Sequence, residues 1–95
     1  MYEQLDIEAN ELLDLISSNV VKFRKAKGYS QLKLATEMGY SSASYFGCIE
    51  IRKNGQHFNI VQLYKISKIL DIPIYKFFEP VDQSTKQSTE LASLS

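Results

Sequence analysis

The sequence holds one cysteine, Cys48, and one histidine, His57. A lone cysteine cannot close an internal disulfide, so the fold has to rest on its core, and a reducing, cytoplasmic compartment is expected. A structural zinc site usually takes four protein ligands and is not expected here. Cys-His or Ser-His catalysis would have to run through His57. No paired carboxylates, phosphate-binding loop or metal cluster accompanies it, so the expectation is no enzyme activity, no cofactor and no small-molecule substrate. No run of 18 apolar residues is present, which excludes a membrane-spanning helix. The start, MYEQLDIEANE, is acidic and has no apolar block, so no secretory signal is expected. Nowhere do apolar and polar residues alternate for long enough to read as a strand, and no internal repeat is visible.

What is present is one domain's worth of chain. It has 95 residues, 44% of them apolar and 23% charged, which is the composition of an ordinary globular domain. The formal net charge is zero, but it is the sum of unlike parts. Residues 1–14 carry Glu3, Asp6, Glu8, Glu11 and Asp14 and no base, a charge of −5. Residues 15–79 carry ten Lys or Arg against Glu37, Glu50, Asp71 and Glu79, a charge of +6. A basic body of this kind favours a polyanionic partner; an unevenly charged, merely solvated surface is the plainer reading. The organisation expected is an acidic N-terminal arm over 1–14, a body over 15–80, and a polar Ser/Thr/Gln-rich tail over 81–95 read as disordered.

The body reads as a string of short helices. Leu12, Leu13, Ile16, Val20 and Phe23 recur at spacings of three and four and predict a first helix over 8–27, with Lys22, Arg24, Lys25 and Lys27 at its negative end. Gly28 stops it. Ser30 caps a second helix over 30–38, with Leu34, Ala35 and Met38 inward and Gly39 as its stop. A third helix is predicted from Ser42, as cap, to about Ile51, with Phe46 and Ile49 buried. Asn59 caps a fourth, in which Ile60, Leu63, Ile66 and Leu70 repeat at helical spacing. Pro73 opens a short fifth over 74–79 carrying Phe77 and Phe78.

Two short helices joined by a brief glycine-bearing turn form the pattern of a helix-turn-helix, here about residues 30–51. The ordered set Phe23-Arg24, Gly28, Ser30-Gln31, Leu34-Ala35, Gly39-Tyr40-Ser41, Phe46, Ile49-Glu50, Leu63, Ile66 and Leu70 resembles the helix-turn-helix family of phage repressors and Cro proteins, which includes restriction–modification controller proteins. The resemblance covers residues 16–79. The run Phe46-Gly47-Cys48-Ile49-Glu50 is similar to the apolar-Gly-x-Ile-Glu run of controller proteins. Two departures stand out. The segment from Gly39 to Glu50 is one residue longer than the commonest form, and the glycine usually found soon after the Glu is delayed to Gly55.

The resemblance implies an all-α, five-helix, lambda-repressor-like domain. It would bind double-stranded DNA as a homodimer on a two-fold operator and regulate transcription in a bacterium or phage. A controller protein is the first reading, with a phage or plasmid repressor or an antitoxin-type autoregulator beside it. The rival from another class is a protein-interaction module whose basic face binds an acidic protein.

By the same resemblance Ala43, Ser44 and Cys48 fall at base-reading positions, and on a helical wheel Ser44, Cys48 and Ile51 lie opposite Phe46 and Ile49. Phosphate contacts are expected from Ser30, Gln31, Lys33, Ser42, Tyr45, Gly47, Arg52, Lys53 and Asn54. Several of these have a plainer alternative. Tyr45 can pack on the second helix, Gly47 can be a tolerated helix defect instead of a point of close DNA approach, and the loop after Ile51 can be merely solvated. Cys48 also admits a redox reading if exposed. Arg24 and Glu50 are expected to pair structurally. Val61, Tyr64, Ile69, Ile74 and Tyr75 are surplus to one core and read as a dimer interface; cover by the first helix is the other reading.

Overall fold

In the computed structural model of the protein, residues 2–80 are described, and they are all-helical, with no strand among them. The elements are α1 (Tyr2–Ala26), α2 (Gln31–Glu37), α3 (Ser44–Glu50) and α4 (Ile60–Leu70), with a 3-10 turn at Lys53–Gly55 and a 3-10 helix at Ile74–Phe78. The tail expected over 81–95 lies outside the described residues.

The first helix differs from expectation at its start. It begins at Tyr2, not near residue 8, so residues 2–14 of the acidic arm, expected to lead into the first helix, form the first half of α1. The segment offers no glycine or proline to stop a helix, and its carboxylates lie toward the positive end of the helix dipole. The other end follows the sequence. Gly28 takes φ +77°, the Tyr29 N–H donates to the Arg24 carbonyl at 3.0 Å and the Gly28 N–H to the Lys25 carbonyl at 2.9 Å, which closes the last turn and turns the chain toward α2.

The core is built from Ile16, Val20, Leu34, Ala35, Met38, Phe46, Ile49, Phe58, Leu63, Ile66, Leu70 and Phe77. Leu12 is expected to join it but is 44% exposed: at this height the body meets α1 on another side, where Arg52 contacts Asn10 and Asp14. Phe78, next to the fully buried Phe77, also stands partly in solvent. Phe58 is a core residue without any periodic signal in sequence: it lies in the loop before α4 and packs on Phe46, ring centroids 5.5 Å apart.

Polar side chains fasten the elements to one another. Asn19, buried on α1, donates from Nδ2 to the Phe77 and Glu79 carbonyls, both at 2.8 Å, and so satisfies two acceptors of the C-terminal segment. Ser30 caps α2 by accepting the Lys33 N–H at 3.0 Å. Asn59 and Gln62 exchange side-chain and backbone bonds at 2.8 Å in a capping box for α4, and Gln62 Nε2 goes on to donate to Tyr40 Oη at 2.8 Å. The cap expected at Ser42 is not formed. Ala43, which precedes α3, is itself near helical geometry, and no side chain among the described residues caps the first turn of α3.

Candidate nucleic-acid interface

The centre of the site is a buried ion pair that fixes α3 against α1 and α2. Arg24 Nε donates to Glu50 Oε2 at 2.8 Å and Nη2 to Oε1 at 3.1 Å, a two-pronged contact between side chains only 8% and 2% exposed. Arg24 Nη1 donates to the Tyr29 carbonyl at 2.8 Å, and Gln31 Nε2 donates to Glu50 Oε1 at 2.8 Å. One carboxylate at the end of α3 thus accepts from α1 and from the first residue of α2. The pairing of Arg24 with Glu50 is as expected; the Gln31 donor is not, since Gln31 was assigned to phosphate alone.

Gly47 has a local reason. A Cβ there would sit 3.3 Å from Gln31 Oε1 and 3.7 Å from its Cδ. The close approach at this position is therefore between α3 and the Gln31 side chain of the same chain. Gly47→Ala should gain about 1 kcal/mol of helix propensity while pushing Gln31 away from Glu50, so the two effects offset. In a Gln31→Ala background the same substitution should stabilise by about 1 kcal/mol. Equal effects in both backgrounds, measured by chemical denaturation, would detach Gly47 from Gln31.

With Phe46, Ile49 and Glu50 turned inward, α3 presents Ser44, Gly47, Cys48 and Ile51 along its outer side. Ser44 and Ile51 are exposed; Gly47 and Cys48 are half-buried, as is Ala43 at the preceding cap. Tyr45 is exposed at one edge of this strip, its ring edge-on to Tyr40 at 5.4 Å between centroids, so it packs at the turn between α2 and α3.

Compared with family models, with curated proteins and with solved structures, the chain matches none.

The polar and basic positions around the strip divide into two groups. Lys53 and Asn54 are exposed in the turn after α3, Asn54 in the left-handed backbone region at φ 55°. Lys33 is exposed with its Nζ 4.4 Å from the centroid of the Tyr29 ring. Arg52 differs from these. At φ 57° its side chain turns back to α1, where Nε meets Asp14 Oδ1 at 3.2 Å and Nη2 donates to Asn10 Oδ1; Nη1 donates to the Gly55 carbonyl at 3.2 Å. The cation expected to sit on phosphate is engaged by the acidic half of α1. No spacing in sequence points to a pair 38 residues apart.

The residues read as a dimer interface also separate. Val61, Tyr64 and Tyr75 are exposed, as are Ile60 and Phe78, while Ile69 and Ile74 are partly buried against the chain's own core. Among the described residues no cavity is present, no three metal-ligating side chains converge, and no helix is long and apolar enough to cross a membrane.

Proposed function

We propose that the protein is a DNA-binding transcriptional regulator in which α2 and α3 form a helix-turn-helix and α3 lies in the major groove. In this reading the domain is of the five-helix, lambda-repressor-like kind, with the 3-10 helix at Ile74–Phe78 as its fifth element. The observation that carries the reading is the outer side of α3. It carries the small side chains Ser44 and Cys48, with the exposed Ile51 just past the helix end, on a helix whose orientation is locked by a buried ion pair. A groove-entering helix needs an outer side free of bulk and a fixed angle to its support. The +6 charge of residues 15–79 supplies the long-range attraction to phosphate, and Lys53 stands just past the strip.

Val61, Tyr64 and Tyr75 support a homodimer on a two-fold symmetric operator. A single small domain touches only a few base pairs, and symmetry doubles the contact. A restriction–modification controller is the form favoured by the Phe46-Gly47-Cys48-Ile49-Glu50 run; a phage, plasmid or antitoxin-type repressor uses the same interface.

The test is selection of bound sequences from a random DNA pool, followed by titration of the selected site at several salt concentrations. With about five phosphates neutralised per half-site, log K should fall with log salt at a slope of about −4 to −5 per half. Lys53→Ala should weaken selected and random DNA alike and reduce that slope by about one. A chain that shows no salt-dependent DNA binding is not a DNA-binding regulator, and its basic face then belongs to an acidic protein partner.

A further inference from the structure

The core stripe of α1 does not end where the body ends. Ile16, Asn19, Val20 and Phe23 face the core or its margin, and the same side of the helix continues through Leu12, Ala9 and Leu5. Among the described residues nothing covers it: Leu5 is 55% and Leu12 44% exposed. Asp6 and Glu8 flank this overhanging seam, and residues 2–14 hold no base at all. At 1.5 Å per residue the overhang is about 20 Å long.

A second unpartnered helix face lies on α4. Val61, Tyr64, Lys65 and Lys68 fall within one arc of that helix, opposite the buried Leu63, Ile66 and Leu70. Val61 is 57% and Tyr64 55% exposed, and α4 contains no acidic residue. The Lys68 Nζ lies 5.4 Å from the centroid of the Tyr64 ring, so charge and apolar surface form one patch. At about 16 Å the helix is close in length to the overhang.

We propose that these two faces are each other's partner across a dimer: the acidic half of α1 of each copy lies on the outer face of α4 of the other, so that the copies exchange arms. The proposal rests on the homodimer reading above and names the contact that makes it. Two arms laid together would set Asp6 and Glu8 against their own kind, and two α4 faces would do the same with Lys65 and Lys68; like charges in such pairings repel. The exchanged pairing alone sets acid on base and leucine on valine and tyrosine. It is reciprocal, as a two-fold dimer requires. It leaves the strip on α3 uncovered.

The experiment uses two charge-reversed full-length chains, Asp6→Lys/Glu8→Lys in the arm and Lys65→Glu/Lys68→Glu on α4, each alone and mixed in equal amounts, in sedimentation velocity at micromolar concentration. Wild type should be a dimer. Each variant alone should self-associate at least about tenfold more weakly. The mixture should recover dimers of near wild-type affinity, because both contacts of the heterodimer then pair opposite charges. That recovery also shows that neither variant is misfolded. An arm variant that dimerises like wild type overturns the exchange and leaves an α4-based dimer standing; a mixture no tighter than its parts, or a wild-type monomer, overturns it as well. A wild-type dimer that recovers in the mixing test yet binds no DNA would keep the exchange and remove the regulator.

Discussion

Glu50→Ala is expected to cost about 3–5 kcal/mol of stability, a large share of the about 5–15 kcal/mol that holds a small domain together. The physical reason lies in what remains. Arg24 cannot lose its proton, and its guanidinium would stay in a buried site with only the Tyr29 carbonyl at 2.8 Å as partner. Gln31 Nε2 would lose its acceptor too. The ion pair need not be strongly stabilising for this to hold, because the penalty comes from orphaning one charge. Arg24→Met/Glu50→Leu should therefore lose much less than the sum of Arg24→Met and Glu50→Leu made singly, with the Tyr29 carbonyl as the main remaining cost. Chemical denaturation of the four chains closes the cycle. Additive losses would mean that the pair does not act as a unit. Because the same carboxylate holds α3 to α2 through Gln31, the single variant should also loosen the strip on α3 before the domain unfolds.

The elements that one-dimensional patterns could reveal are those with local causes. The cap at Ser30, the capping residue Asn59 and the left-handed stop at Gly28 each act within a few residues, and each stands where the sequence puts it. The inward set of α3 was legible for the same reason, since Phe46 and Ile49 mark one side of a short helix. What could not be read is the pairing of distant polar groups. Nothing local says that Asn19, set in an apolar stripe, meets carbonyls at Phe77 and Glu79, or that Gln31 joins Glu50. Arg52 follows α3 in a basic stretch and reads as a phosphate contact, yet its side chain pairs with Asp14, on a part of α1 that the sequence predicts as helix but does not place beside the turn after α3. The start of α1 was misplaced because the periodic apolar signal was tied to core formation, whereas the stripe runs on past the core. Gly47 reads in sequence as a point of close DNA approach or a tolerated helix defect, and nothing local shows that a Cβ there would meet Gln31 of α2.

Ser44→Glu should abolish specific DNA binding while leaving stability nearly unchanged. Ser44 is exposed, in the first turn of α3 and on its outer side, so a longer polar side chain meets solvent and not the core. A carboxylate in the first helical turn is, if anything, favourable to the helix. In the groove the same carboxylate would face phosphates and base-edge acceptors, where it can make few bonds and suffers repulsion. Ser44→Ala sets the contrast. The residues read as facing bases, Ala43, Ser44 and Cys48, are all short, and none can make the two-pronged contact of arginine with guanine or glutamine with adenine. Losing one serine hydroxyl should cost about 1 kcal/mol, the low end for a specific contact. Selectivity then has to come in part from DNA shape and from half-site spacing of about 34 Å, which predicts an A·T-biased site with no single dominant base pair. Thermal melts of both variants should superimpose on wild type within a few degrees, and titration on the selected site should separate them sharply. A Ser44→Glu chain that binds that site as wild type does would place another helix, or another side of α3, against the DNA.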